Sequence, residues 1–367
     1  MSSANPVPQR PGWQQHLAQV AVIVGMASAG ALFGAVVGRW VGERASTDAT
    51  SPWLLLVALV LGLPLAILGH ELGHVLGGRL VGFRFLLLIV GPLKVDRVGE
   101  RIRFGWNRSL GLVGGLAASV PNDDHKLRQR MLVMVAGGPL ASLIIGGSSL
   151  LVVTHLVGSA PLVVFAALNL AIAVATLLPL PTAGFQTDGR RLMMLLRGGA
   201  RAERWCATAL ATAMTLVQRP REVPPALLAT ALGLPDASLD DLGAHTIAYS
   251  VALDQGDRAA AEAHLNYVLT HQARLPAALR PALGLESAYL AALRGEAEAA
   301  RNEFEAARKG ALIEAYTLAR VEAAVLHAEG RPAEASARAQ VGLDLLAKLQ
   351  PGPSGIGEAE LLRELAG

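Results

Sequence analysis

The sequence predicts an all-α membrane protein with a small β-hairpin or sheet, followed by a soluble α-helical repeat domain. Of the 367 residues, 52% are hydrophobic and only 17% are charged, which is too apolar for an ordinary soluble domain. Four apolar stretches before residue 200 have the length of about 20 residues that crosses a bilayer core. Beyond residue 240, an Ala-rich pattern recurs at intervals of 39 and 35 residues. We therefore expect an N-terminal tail (1–16), a membrane domain (17–200), a helical connector (201–240) and a repeat domain (241–367).

The four predicted spans cover residues 17–37, 53–76, 131–153 and 161–180. The first could instead be a secretory signal with a cleavage site at Ala27-Ser28-Ala29. Its apolar region continues to Val37, which is long for a signal and favours a retained span. Lys and Arg are concentrated between spans two and three and after span four, so the positive-inside rule places both termini in the cytoplasm.

The connection from Gly82 to Trp106 is predicted to form strands. Residues 83–90 are rich in β-branched and aromatic side chains, Gly91-Pro92 interrupts them, and Ile102, Phe104 and Trp106 then alternate with other residues. A small sheet of this kind could pair with an extended peptide by strand addition, or it could only cap the membrane domain. The sequence leaves both alternatives open.

Charge and cysteine content restrict the partners and the metal chemistry. The single cysteine, Cys206, excludes an intramolecular disulfide and a cysteine-built zinc site, so histidine and carboxylate ligands would have to hold any metal. The net charge is only +3 and aromatic residues make up 4% of the chain. No basic patch is interleaved with aromatics, so no nucleic-acid partner is expected.

The segment His70-Glu71-Leu72-Gly73-His74 ends an uncharged apolar run. On a helix, this HExxH spacing puts two imidazoles one turn apart on the same face, where both can bind one Zn²⁺. Glu71 is offset from that face and can act as a general base on a metal-bound water. Ionisable side chains at membrane depth are costly unless they bind something, which favours a functional site.

A catalytic zinc site needs a third protein ligand, and Asp188 is the best candidate. The competing interpretation is a helix N-cap, because Asp188 is followed by Gly-Arg-Arg-Leu-Met-Met, a pattern typical of a helix start. Spacing alone does not decide between the two roles.

Three segments resemble the site-2 proteases, the intramembrane zinc metalloproteases of peptidase family M50. They are the HExxH segment, Ala136-Gly137-Gly138-Pro139-Leu140-Ala141-Ser142, and the stretch from Leu177-Leu178-Pro179 to Asp188-Gly189, which is similar to the family's NxxPxPxxDG element. The resemblance implies a Zn²⁺ cofactor held by His70, His74 and Asp188, with Glu71 as the catalytic base. It also implies an endopeptidase that cleaves a membrane-anchored protein within or near its transmembrane segment. Together with the predicted spans, it suggests a multi-pass protein of a bacterial-type cell membrane with its active site near the cytoplasmic face.

The chain departs from the family pattern in one place. Family members typically carry an Asn eight residues before the ligand Asp, where it is thought to hold the substrate backbone. This chain has about four extra residues near Gly184–Thr187, so that Thr176 takes the Asn position when Pro179 is aligned. Asn169 lies seven residues earlier on the same helical face and could replace it, or it could be an ordinary interhelical hydrogen-bonding residue. The departure leaves substrate positioning in doubt but not the metal site.

The repeats after residue 240 resemble tetratricopeptide repeats, each a helix pair of nominally 34 residues. Their glycines fall at Gly256, Gly295 and Gly330. Such a domain usually binds peptides or helices, while the alternative is a packing domain that stabilises the membrane core or a homo-oligomer. A catalytically silent membrane adaptor acting through these helices is therefore the second functional hypothesis. A zincin with a downstream Glu ligand is disfavoured because no ExxxH pattern follows.

Overall fold

The computed structural model describes residues 39, 51–98, 101–107, 115–155, 159–179, 186–310, 313–349 and 354–367. The predicted N-terminal tail, the first predicted span and the alternative signal cleavage site lie outside the described residues. Within the described part of the chain, three helices are long and apolar enough to cross a membrane. The chain divides into two compact units, Met1–His70 with Pro139–Arg191, and Glu71–Gly138 with Leu192–Gly367.

The three candidate spans are helices α1 (Pro52–Leu80), α2 (Leu127–His155) and α3 (Ala160–Leu177). They match the three later predicted spans, although α1 and α2 extend beyond the predicted ends. Their outward side chains are apolar, and Trp53 and Leu61 of α1 are 75% and 60% exposed. Exposed apolar side chains on helices of this length are typical of surfaces that contact lipid.

Small residues allow the helices of the first unit to approach closely. A Cβ atom built on Gly69 would lie 2.7 Å from Cδ1 of Ile145, and one on Gly146 would lie 3.1 Å from the carbonyl oxygen of Ala166. In membranes, helices pack through such small residues because apolar side chains gain little by leaving lipid. These contacts join α1, α2 and α3 within this unit.

The second unit contains a four-stranded antiparallel sheet in the order β3-β2-β1-β4. Its strands are β1 (Arg84–Val90), β2 (Leu93–Val98), β3 (Arg101–Trp106) and β4 (Leu116–Val120). The first three strands lie in the segment predicted to form strands. The fourth was not predicted, and it pairs with β1 across an irregularity between Phe85 and Leu87.

Ten α-helices follow the candidate spans in the described part of the chain. They are α4 (Asp188–Arg197), α5 (Ala200–Val217), α6 (Pro225–Leu232), α7 (Leu239–Gln255), α8 (Arg258–Thr270), α9 (Arg280–Leu293), α10 (Ala297–Ala307), α11 (Ala315–Ala328), α12 (Pro332–Leu349) and α13 (Ser354–Ala366). Within the second unit, Leu195 of α4 and Cys206 of α5 share a hydrophobic core with Met131 of α2 and Phe83. This core supports the end of α4, the helix that begins at Asp188.

Three helix pairs in this part of the chain are closed by equivalent turns. Helix α7 packs on α8, α9 on α10, and α11 on α12. The turns contain Gly256, Gly295 and Gly330, whose φ angles are 77°, 79° and 75°. In each turn, the residue after the glycine donates its backbone N–H to the carbonyl five residues earlier, as Asp257 does to Ala252 at 2.9 Å. This Schellman geometry requires a left-handed residue, which glycine adopts without strain.

Candidate metal centre

His70 and His74 lie one turn apart on α1, and Nδ1 of each ring contacts a group of α2. Nδ1 of His70 lies 3.0 Å from Oγ of Ser142, and both residues are buried. Nδ1 of His74 lies 3.1 Å from the carbonyl oxygen of Met134. A carbonyl can only accept, so Nδ1 of His74 donates the hydrogen in this contact. Hydrogen bonds to one ring nitrogen orient histidines that bind metals through the other nitrogen.

Asp188 is the third member of the group. Its Oδ2 atom lies 3.1 Å from Nε2 of His70, and its side chain is 18% exposed. One ligand atom from each of His70, His74 and Asp188 lies within 4.8 Å of the other two, so the three residues could hold a metal ion. In the described part of the chain, no other group of three or more His, Cys, Asp or Glu residues has this arrangement.

Thr187, and not Asp188, caps helix α4. The backbone N–H of Arg190 donates to Oγ1 of Thr187 at 3.4 Å, and the Thr187 hydroxyl donates to the carbonyl oxygen of Leu178 at 2.7 Å. Asp188 is the first residue of the helix itself. The capping role that competed with metal binding is therefore filled by its neighbour, and Oδ2 of Asp188 approaches His70 instead.

Glycines next to the ligands permit close backbone contacts. A Cβ atom on Gly189 would overlap the carbonyl group of Leu177, so this position has no room for a side chain. A Cβ atom on Gly137 would overlap the carbonyl oxygen of Gly73 in α1, and one on Gly138 would overlap the imidazole of His74. These glycines lie in the segments that carry the family resemblance.

The other predicted site residues have different surroundings. Glu71 is half-buried and directly follows His70 on α1. Asn169 is fully buried; its Nδ2 donates to the carbonyl of Phe165 in its own helix at 2.9 Å, and its Oδ1 has no hydrogen-bond partner among the described residues. Thr176 donates to the carbonyl of Ala173 at 3.4 Å. Neither Asn169 nor Thr176 belongs to the three-residue group, and Gly184 lies outside the described residues.

Ser142 and the carbonyl of Met134 had not been predicted from the sequence. Ser142 is the last residue of the Gly-Pro segment in α2, so the resemblance covers it without assigning it a role. A serine in a membrane helix has many possible partners, and only the folded helices bring it to His70.

Comparisons of the chain with protein-family models, curated proteins and solved structures found no match. The resemblance to site-2 proteases therefore depends on the three sequence segments described above. The geometry adds one independent fact, which is that His70 and Asp188 are neighbours although 118 residues separate them along the chain.

Proposed function

We propose that this protein is an intramembrane zinc endopeptidase that cleaves a membrane-anchored protein within or near its transmembrane segment. One observation carries the proposal: the ligand atoms of His70, His74 and Asp188 gather within 4.8 Å, and both histidines belong to a helix apolar enough to cross a membrane. Two imidazoles are costly to place in such a helix unless something binds them, and ordinary structural roles do not require a carboxylate from another helix to meet them there.

The donor set fits zinc. Two nitrogens and one carboxylate oxygen are common zinc ligands, and three protein ligands leave one of the four positions open, as in catalytic zinc sites. Metal–ligand distances of about 2.0–2.1 Å place tetrahedral ligands about 3.3 Å apart, close to the 3.1 Å between His70 Nε2 and Asp188 Oδ2. When bound, the ion would supply a Lewis acid that polarises the scissile carbonyl and acidifies water.

Glu71 would act as the proton carrier. Its carboxylate is offset from the face that bears the two imidazoles and would accept a proton from the attacking water, then return it to the leaving amine. A histidine-held metal site without hydrolytic function has no need of a glutamate at this position. Ser142 and the carbonyl of Met134 would hold the two rings in place during turnover, since they fix the nitrogens that do not face the site.

The proposal includes a location and a regulatory part. The protein would be a multi-pass protein of the cell membrane, with its site near the cytoplasmic face and both termini in the cytoplasm, because the cationic loops favour that orientation. The helix pairs α7–α12 would form a tetratricopeptide-like domain that recruits or regulates the substrate. Their equivalent turns at Gly256, Gly295 and Gly330 support a repeated unit.

The test compares wild type with Glu71→Gln and His74→Ala in otherwise identical cells. Glu71→Gln should abolish cleavage while zinc content, measured by mass spectrometry of the purified protein, stays at the wild-type level. His74→Ala should lose both the cleavage activity and the bound zinc. New termini within transmembrane segments, quantified by proteomics, should disappear in both variants and leave the uncut membrane proteins to accumulate. Identical termini in wild type and in Glu71→Gln would end the peptidase proposal.

A catalytically silent adaptor is the second candidate. It is favoured by a cavity of about 260 Å³ among helices α7, α8, α9 and α11, lined by both apolar and polar side chains such as Leu265, Leu283 and Glu286. The adaptor hypothesis predicts that Glu71→Gln behaves as wild type in cells. The peptidase hypothesis predicts that it behaves as a null variant with intact metal content.

A further inference from the structure

Strand β3 exposes three large apolar side chains on one face. Ile102, Phe104 and Trp106 are 55%, 79% and 72% exposed. They occupy alternate positions, so they point to the same side of the sheet. Isolated exposed apolar residues are common on protein surfaces, but a contiguous patch that contains two aromatic rings marks a contact surface.

The patch continues onto the neighbouring strand. In the β2–β3 register, Leu93 pairs with Trp106 and Val95 pairs with Phe104. Cross-strand partners share a face, so β2 adds Leu93 and Val95 to the same side, with Arg97, the partner of Ile102, at its end. Leu93 is itself 39% exposed. The result is a face two strands wide at one edge of the sheet, apolar from Leu93 to Val95 and bordered by Arg97.

The opposite face of these two strands is charged. Asp96 accepts two hydrogen bonds from Arg103, at 3.2 and 3.1 Å, and lies 2.9 Å from Nζ of Lys94. Arg101 is exposed on this face, at the position next to Ile102. Three cations and one anion give the face a net positive charge. A segment with aromatic residues on one side and cations on the other is suited to an anionic lipid surface.

The chain connects this sheet directly to membrane helices. β1 begins four residues after α1 ends at Leu80, a residue that is 84% exposed, and α2 begins soon after β4. Both helices are candidate membrane spans. The apolar surface of α1 therefore extends to the point where the sheet starts, which keeps the strands near the membrane–water boundary.

The backbone limits how deep the strands can lie. β3 is an edge strand, and among the described strands its outer N–H and C=O groups have no partner. Unpaired backbone groups are not tolerated in the hydrocarbon core. The backbone must therefore remain at the level of the headgroups, where water and phosphates satisfy it, and only the side chains can reach the acyl chains. Trp and other aromatic residues prefer this interfacial depth.

We propose that the β2–β3 pair is an interfacial membrane anchor. The side chains of Ile102, Phe104 and Trp106 enter the upper acyl region of an anionic bilayer, and the face with Lys94, Arg101 and Arg103 is directed to headgroups and water. The anchor is independent of peptidase activity and would hold even if Glu71 had no catalytic role.

Adjacent residues on opposite faces provide a sharp test. Phe104→Cys and Gly105→Cys each receive a nitroxide label in the full-length protein, reconstituted in phosphatidylethanolamine–phosphatidylglycerol vesicles. A Cβ atom on Gly105 meets no atom within 4 Å, so this position accepts a side chain. The unsubstituted protein gives the background, since its single cysteine, Cys206, is buried. Ile102→Cys repeats the measurement on the apolar face in case Phe104→Cys does not fold.

Collision rates with oxygen, which concentrates in lipid, and with a water-soluble nickel chelate decide the outcome. The logarithm of the oxygen-to-nickel ratio should be positive at 104 and 102 and negative at 105. A negative value at 104 and 102 would place this face in water and overturn the proposal. Exclusion of both reagents at 104 and 102 would also overturn it, because the face would then be covered by protein, either an added peptide strand or a second copy of the chain.

Discussion

Gly138 lies so close to the imidazole of His74 that a Cβ atom on the glycine would overlap Nε2 of that ring. The glycine is therefore part of the shape of the metal site, although it contributes no ligand. The neighbouring glycine, Gly137, lies against the backbone carbonyl of Gly73. This second contact fixes how closely α2 approaches α1 next to His74.

Gly138→Ala should displace the His74 ring and lower the zinc content of the purified protein well below one ion per chain. Gly147→Ala is the matched control, because a Cβ atom at Gly147 in the same helix meets no atom within 4 Å. The control should retain wild-type zinc. Equal zinc content in the two variants would show that α1 and α2 separate without loss of the site.

Ser142→Ala should weaken zinc binding without removing it. The Ser142 hydroxyl holds Nδ1 of His70, and loss of such an outer contact typically costs about 10- to 100-fold in metal affinity. Ser148→Ala, at an exposed position of the same helix, is the control. Competition with a zinc chelator measures the affinities. If Ser142→Ala binds zinc as tightly as the control, the serine does not orient His70.

Asp254→Asn should destabilise the helical part of the protein at neutral pH. Burial raises the pKa of Asp254, but hydrogen bonds from Arg219 and Arg221 outweigh burial and hold the pKa below its usual value of 3.8. The stabilisation by a carboxyl with a lowered pKa is fully present above pH 3.8 and is lost as the pH falls through the folded-state pKa. We expect a loss of about 2 kcal/mol at pH 7.

The melting temperatures of wild type and Asp254→Asn should therefore differ at pH 7 and converge at an acidic pH below the folded-state pKa of Asp254. Glu296→Gln serves as the control, because its ion pair with Arg294 is exposed and should contribute little. A difference for Asp254→Asn that is the same at both pH values would assign the effect to packing and not to charge.

Cys206 should resist thiol reagents in the folded protein. It is 7% exposed within the core formed by α2, α4 and α5, and burial raises its pKa to about 11. Because the thiolate is the reactive form, maleimide labelling should be slow at pH 7 and accelerate as the pH approaches 11. Denatured protein provides the comparison. Labelling at the same rate in native and denatured protein would contradict the buried position.

The sequence predicted the features that depend on local pattern. Hydropathy located α1, α2 and α3, because a bilayer-crossing helix must be apolar over its whole length. His70 and His74 are four residues apart, so helix geometry alone predicts that their side chains lie on the same face of α1. The glycines at 256, 295 and 330, which gave the spacing of the predicted repeats, lie at helix ends, where a left-handed residue is needed.

Features that depend on contacts between distant segments could not be predicted from local sequence pattern. Strand β4, Leu-Ala-Ala-Ser-Val, has small residues and no clear alternation, and only its pairing with β1 makes it a strand. Asp188 had two possible roles, and the sequence did not show that the hydroxyl of Thr187 accepts from the backbone N–H of Arg190. The contacts of Ser142 and Gly138 depend on the distance between two helices, which no single segment encodes.

The 118 residues between His70 and Asp188 have a consequence for biosynthesis. A nascent chain that has passed His74 but not yet reached Asp188 carries only two of the three ligands. The complete metal-binding group cannot exist until the ribosome has translated all three candidate spans and the start of α4. A function that needs all three residues therefore cannot begin before Asp188 has been translated.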